Sequence, residues 1–167
     1  MSLIIVILTG YILGSLPFSF WLGRLKGVDL RNIGSGNIGA TNLARALGAR
    51  WGLLAFLLDM GKGFIAVFLA GYISTFFTDN IVSVTLLQII GGIASIIGHN
   101  WSIWLKFKGG KGVATSAGVF FGLAPIPLLL ALAMWLVVFA LFRYVSLASI
   151  ISSISLPLYM WYKKVDS

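Results

Sequence analysis

Long apolar runs alternate with short polar ones along this chain, and most of the runs approach the length of a bilayer crossing. A helix needs roughly 20 residues to cross the hydrocarbon, and residues 3–23 provide a first such run. A polar region follows at 24–50, holding Arg24, Lys26, Arg31, Arg45 and Arg50 against Asp29 alone. That excess of cations predicts a cytoplasmic loop and an N-terminus outside. A second run covers 51–77, "FFTDN" reads as an external turn, and a third run at 81–104 returns inward to "KFKGGKG". The two basic loops therefore fall on one side. The stretch 113–142 is interrupted by "PIP" at 125–127, where proline lacks a donor and clashes with the preceding turn. The break predicts a short segment at 113–124 and a full one at 127–142, with Arg143 back in the cytoplasm. A sixth span at 145–162 leaves Lys163 and Lys164 outside, against the charge rule. Two readings fit that anomaly: "PIP" kinks one long helix, or the chain lacks a final returning helix. Only helices satisfy their own backbone within such runs. The expectation is all-α: a polytopic transmembrane helix bundle over 1–167 as a single domain, with six membrane segments, one of them short or proline-broken.

Composition narrows the class. Hydrophobic residues make up 59% of the 167 and charged ones 10%, with a mean hydropathy of +1.03. So few charges could not cover a soluble domain of this size. The first run lacks a basic leader and a small-x-small cleavage site, so it reads as an uncleaved span rather than a signal peptide. Cysteine is absent and His99 is the sole imidazole, which leaves no convincing metal site. The formal net charge of +8 suits anionic head groups or an anionic substrate better than nucleic acid in this setting.

The polar loops carry the candidate chemistry. "NIGSGNIGATNLARALG" at 32–48 has no acidic residue. Gly34, Gly36 and Gly39 allow positive φ and close approach to a ligand, and successive amides in such turns form anion nests. Ser35, Asn37, Thr41 and Asn42 add neutral hydrogen-bonding groups. The sequence turns helical near Ala40, so a helix N-terminus adds to the anion site, and Gly48 is a plausible C-cap. Arg45, one turn in, can reach back as a bidentate phosphate ligand. The plain alternative is a capped loop of ordinary turn residues. In "HNWSIWLKFKGGKGVAT" at 99–115, Lys106, Lys108 and Lys111 surround Gly109 and Gly110, with Gly112 following. Lysines plus flexible amides suit phosphate, though this is not a Walker A loop. A positive-inside loop with aromatic anchors explains the lysines but not the glycines. His99 lies near the same end and reads either as a general base or as a packing residue. Asp59 and Lys62, at i and i+3, share a helix face within the second span. An unpaired charge at that depth is costly, so the two should pair with each other or with Arg45 or another basic residue; the pair reads equally as structural or as substrate-binding, and such a pair could also mark a proton or ion path.

Taken together, "GSGNIGATNLARALG" and "GHNWSIWLKFKGGKGVAT" resemble the PlsY family of bacterial membrane acyl-phosphate:glycerol-3-phosphate acyltransferases. "YILGS", "KGVDLRNIGSGN", "LDMGKG" and "RYVSLASI" match in order, so the resemblance covers essentially the whole chain. It implies transfer of an acyl group from acyl phosphate to the 1-hydroxyl of glycerol 3-phosphate, giving lysophosphatidic acid and phosphate. It implies no cofactor or metal, an upstream acyl-phosphate synthase as supplier, and surrounding membrane lipids. The implied setting is the bacterial inner membrane, with seven helices, the N-terminus outside and the active site on the cytoplasmic face. On the family pattern Ser35 and Arg45 fall on essential positions of the first loop, and Gly109, Gly110, Lys111 and Gly112 on the loop that holds glycerol 3-phosphate. The family ends in a seventh helix and a motif of the form R-H-x-x-N-I-x-R-L. This sequence stops at "LPLYMWYKKVDS", so the expectation is a chain lacking that helix and motif. His99 is not the histidine of that motif and does not take its role.

The expected chemistry needs two anions held side by side, with a hydroxyl aimed at a carbonyl. Arg45 with the first loop would bind one phosphate and the lysine loop the other; the base would be His99 or the acyl phosphate itself. Two alternatives are weaker. A small anion channel or transporter would use the same cationic loops. A phospho-alcohol transferase would need several magnesium-binding aspartates, whereas only Asp59 and Asp29 are at hand.

Overall fold

The computed structural model describes the backbone of residues 1–77 and 82–165, and side chains as far as residue 161. Every regular element among these residues is helical. The expected "FFTDN" turn lies partly outside the described residues, and so do the side chains of Lys163 and Lys164. The chain forms two compact units, Met1–Leu123 and Ala124–Ser167.

The first unit contains α1 (Ser2–Ser15), α2 (Phe18–Leu25), α3 (Ala40–Leu47), α4 (Ala49–Ser74), α5 (Val84–Asn100) and α6 (Val113–Leu123). The expected first span is in fact two helices. Pro17 forces the residue before it out of the helical region, and Leu16 sits at φ −60°, ψ 115°. The break exposes the Leu16 carbonyl to another partner. Inside this unit many of the buried groups are small or polar, among them Ser15, Ser19, Asp59, Lys62, Ser95, His99 and Thr115, beside a few apolar ones such as Val6, Val67 and Leu87. Outward faces carry large apolar side chains such as Leu8, Leu57 and Phe68. In lipid there is little hydrophobic gain from burying one more leucine, so helices associate by close backbone approach. Gly14 of α1 accordingly lies against the Ser95 backbone of α5, and Gly118 of α6 against that of Met60 in α4. Beneath the first polar loop, Leu30, Leu43 and Ala55 form a fully buried apolar cluster that ties the loop to α4.

The second unit is the helix pair α7 (Pro125–Phe142) and α8 (Val145–Val165). Pro125 is the first residue of α7, a position whose missing N–H costs nothing. "PIP" therefore starts a helix rather than kinking one. The Trp135 indole N–H donates to Ser149 Oγ at 3.1 Å and the Ser152 hydroxyl to Ala131 O at 2.7 Å, joining the pair. Ser153 and Ser155 instead bond back into their own helix, so not every serine here is interhelical.

Among the described residues, four stretches are able by length and composition to cross a membrane: Ser2–Leu25, Ala49–Ser74, Val84–Leu105 and Pro125–Phe142. Val113–Leu123 and Val145–Trp161 are shorter apolar helices. The coarser expectation of an all-helical chain with several such spans therefore stands.

Candidate functional site

Asp29 organises the entry to the first loop. Its carboxylate accepts from the Arg31 backbone N–H at 3.1 Å and from the Arg31 guanidinium at 3.0 and 2.7 Å. Arg24 reaches the same carboxylate at 2.8 Å. Both guanidinium groups lie over the Phe20 ring, 5.3 Å and 5.1 Å from its centroid. The Arg31 side-chain hydrogen bond is the main cause that holds the Asp29 carboxyl down at about 2, despite some opposing desolvation. Arg31 is raised by the same bond.

Gly34 and Gly36 take positive φ, at 58° and 67°, as the turn requires. Gly39 does not: its φ of −85° makes it the N-cap of α3, a correction to the sequence reading. The centre of the loop is Asn42, which is 1% exposed. Its amide nitrogen lies 2.9–3.0 Å from the carbonyls of Leu30, Ile33 and Asn37, and its oxygen accepts from Ser35 N–H at 3.2 Å. This carboxamide is spent on shaping the loop rather than offered to a ligand. Asn37 similarly turns its oxygen to Gly39 N–H at 2.9 Å. Ser35, Thr41 and Arg45 are exposed on the result, and Gly48 closes α3 at φ 93°.

The lysine loop is built differently from the expectation. The amides of Gly109 and Gly110 donate to Asn100 O and His99 O, each at 3.0 Å, and so cap the C-terminal end of α5. They do not form a phosphate nest, because the unsatisfied carbonyls of a helix end claim them first. The two glycines are needed for proximity. A Cβ at Gly109 would lie 2.6 Å from both the carbonyl carbon and oxygen of Asn100, and one at Gly110 would run into the His99 imidazole. Positive φ falls instead on Lys106 (53°), Phe107 (61°) and Gly112 (76°). For the two non-glycine residues that conformation costs about 1–2 kcal/mol each. Lys106, Lys108 and Lys111 are exposed.

The two polar regions share a cleft of about 320 Å³ lined by Phe20, Arg31, Trp104, Leu105, Lys106 and Lys108. Trp104 is fixed there by its indole N–H, which donates to Ser15 Oγ at 3.1 Å. Of the expected site residues only Lys106 and Lys108 line this cleft; Ser35 on the first loop, Thr41 and Arg45 on α3, and Lys111 on the lysine loop are exposed but do not line it. Arg31 and Phe20 were not singled out from the sequence. Their signal was Phe20 and Arg24 four apart on one helix face, followed by the only acid in an otherwise cationic segment.

Asp59 and Lys62 do pair, at 3.0 Å, and are 2% and 3% exposed. Arg45 is not their partner. The Ser19 hydroxyl donates to Asp59 Oδ2 at 2.9 Å, Lys62 Nζ to the freed Leu16 carbonyl at 2.7 Å, and His99 Nδ1 stands 3.7 Å from Asp59 Oδ1. Ser19 gives its proton to the carboxylate and not to the imidazole, so the three do not make a nucleophilic triad.

With this geometry in view, the comparisons are specific. Residues 4–166 match the family described as glycerol-3-phosphate acyltransferase. The glycerol-3-phosphate acyltransferase of Desulforamulus reducens is 45% identical over 159 residues, covering 94% of this chain and 75% of that protein. The one from Aquifex aeolicus is 45% identical over 161 residues, covering 96% and 80%. A crystal structure of PlsY, an integral membrane glycerol 3-phosphate acyltransferase, in its glycerol 3-phosphate form superposes with a TM-score of 0.86 at 44% identity, over 98% of this chain and 78% of that one. The lysophosphatidic acid form of PlsY gives 0.84 at 42%, with the same coverage.

Proposed function

The chain belongs to the glycerol-3-phosphate acyltransferase family, and from that premise we propose that it moves an acyl group from acyl phosphate to the 1-hydroxyl of glycerol 3-phosphate. It is an acyltransferase of the integral membrane kind. The observation that carries the finer reading is the cleft in which Arg31, Lys106 and Lys108 converge beside two aromatic walls. Three cations around one small volume suit reactants that both bear phosphate.

The step balances without a metal or an acyl-enzyme. The hydroxyl oxygen of glycerol 3-phosphate attacks the acyl carbonyl carbon, the bond from that carbon to the phosphate oxygen breaks, and lysophosphatidic acid and inorganic phosphate leave. The hydroxyl proton ends on the departing phosphate. His99 suits the base role poorly, since it is 7% exposed, with one ring nitrogen toward Asp59 and the other toward Gly110. The acyl phosphate's own oxygen is the better acceptor. Holding the two reactants in line supplies roughly 7–11 kcal/mol of the barrier in favourable cases, and nearby cations stabilise charge on the carbonyl oxygen and leaving group.

In the same reading Ser35, Thr41 and Arg45, with the backbone at Gly34 and Gly36, form the rim that takes one phosphate; Lys106, Lys108 and Lys111 take the other. The six apolar helical stretches cross the bacterial inner membrane, with the N-terminus outside and both loops cytoplasmic, which the cation excess of those loops supports. An acyl-phosphate synthase upstream supplies the donor. The test is purified protein in lipid vesicles with glycerol 3-phosphate and either palmitoyl phosphate or palmitoyl-CoA. Lysophosphatidic acid from palmitoyl phosphate alone is expected. Turnover with palmitoyl-CoA alone overturns the donor assignment.

A further inference from the structure

The buried cluster around Asp59 touches both walls of the cleft without lining it. On one side Ser19 bonds Asp59 Oδ2, and the next residue, Phe20, is the aromatic wall under Arg24 and Arg31. Lys62 holds the Leu16 carbonyl at the break between α1 and α2, which sets where α2 begins. On the other side His99 Nδ1 faces Asp59, the Nε2 edge of its ring packs on Gly110, and its carbonyl takes the Gly110 N–H. Gly110 lies two residues beyond Lys108 in the same loop. One carboxylate thus connects α2, α4, the end of α5 and the lysine loop.

Burying two charges is an expensive way to hold helices together. Apolar side chains of similar volume often serve stability as well or better. What an ion pair with hydrogen bonds adds is direction: each donor fixes its acceptor in angle as well as distance. We propose that Asp59 and Lys62 are positioning residues that set the spacing between the Phe20–Arg31 wall and the Lys106–Lys108 wall, and through it the fit of the phosphorylated reactants. The inference rests on the cleft being the anion site of the proposed reaction. His99 transmits the constraint by packing, and needs no proton transfer to do so.

The chain has no cysteine, so spin labels can be placed cleanly at Leu25→Cys and Phe107→Cys, both exposed. The label-to-label distance is measured by pulsed electron resonance in the otherwise unchanged protein, in Asp59→Asn, and in Asp59→Asn/Lys62→Met. KM for glycerol 3-phosphate, kcat and thermal unfolding are measured on the same substitutions without labels. The double variant leaves no unpaired buried charge and is expected to unfold near the wild-type temperature. Both variants are expected to broaden the distance distribution and to lower kcat/KM by roughly ten- to hundredfold, mostly through KM. If Asp59→Asn fails to fold, the double variant decides. A folded double variant with either the wild-type distance distribution or the wild-type KM overturns the proposal. Should the wild-type protein make no lysophosphatidic acid, the functional reading fails separately, and the distance measurement still decides whether the pair sets the spacing.

Discussion

Gly109→Ala is the sharpest perturbation of the lysine loop. The added carbon would sit 2.6 Å from both the carbonyl carbon and oxygen of Asn100, and closer still to the His99 carbonyl oxygen. These are backbone atoms at the end of a helix and cannot swing aside. The protein has two responses. It can keep the loop docked and bear the overlap, at about 1–3 kcal/mol. Or it can lift the loop and lose the Gly109 and Gly110 bonds to Asn100 O and His99 O, at about 0.5–1.5 kcal/mol each. Either way the docked loop loses about 1–3 kcal/mol, a five- to 150-fold fall in its population relative to the lifted form. No helix–helix contact is touched, so the helical content stays. The assay pairs kcat/KM for glycerol 3-phosphate with amide exchange across 106–112 and thermal unfolding. Expected are a fall in kcat/KM of up to that size, reaching it where the lifted form becomes dominant, and faster exchange confined to the loop. Gly61→Ala is the control, since nothing lies within 4 Å of its added carbon. If Gly109→Ala keeps full activity and unchanged exchange, the docked loop is not what presents Lys106 and Lys108.

Three further outcomes follow from the same geometry. Asn42→Ala removes the hub of the first loop and is expected to cost about 2–4 kcal/mol in chemical unfolding, since several carbonyls and one amide lose their partner; the isosteric Asn42→Asp, which turns acceptors toward the carbonyls of Leu30, Ile33 and Asn37, is expected to be worse. Asp29 has its carboxyl lowered to about 2 by Arg31, so the unfolded value lies higher. Its contribution is fully present above about pH 4 and is lost as pH falls through about 2; a carbon-13 NMR titration of this carboxyl should show its step near 2 and no change between pH 5 and 8. Gly14→Ala pushes a carbon into the Ser95 backbone and is expected to destabilise the α1–α5 contact by about 1–3 kcal/mol, seen as a lower Tm in detergent.

Much of this architecture was legible in the sequence because its causes are local. Hydropathy over a window finds apolar helices, cation excess marks the two loops, and the i, i+3 spacing puts Asp59 and Lys62 on one face, where pairing with each other was one of the expected outcomes. Gly48 could be named as the end of α3 for the same reason: a positive φ is a property of one residue. Other features needed the folded chain. Lys62 bonds a carbonyl 46 residues away, and Ser102 one that is 87 residues away; no spacing rule encodes such pairs. That the Gly109 and Gly110 amides cap α5 could not be read from the sequence, because a glycine tolerated for its flexibility and a glycine required for closeness look alike until the neighbouring backbone is in place. Asn42 points inward and Arg45 outward from the same short helix, and Arg31 joins Lys106 and Lys108 around one cleft. Local chemistry dictated which segments enter the lipid and which stay polar. Long-range packing alone decided which polar groups are consumed in building the loops and which are left to meet a substrate.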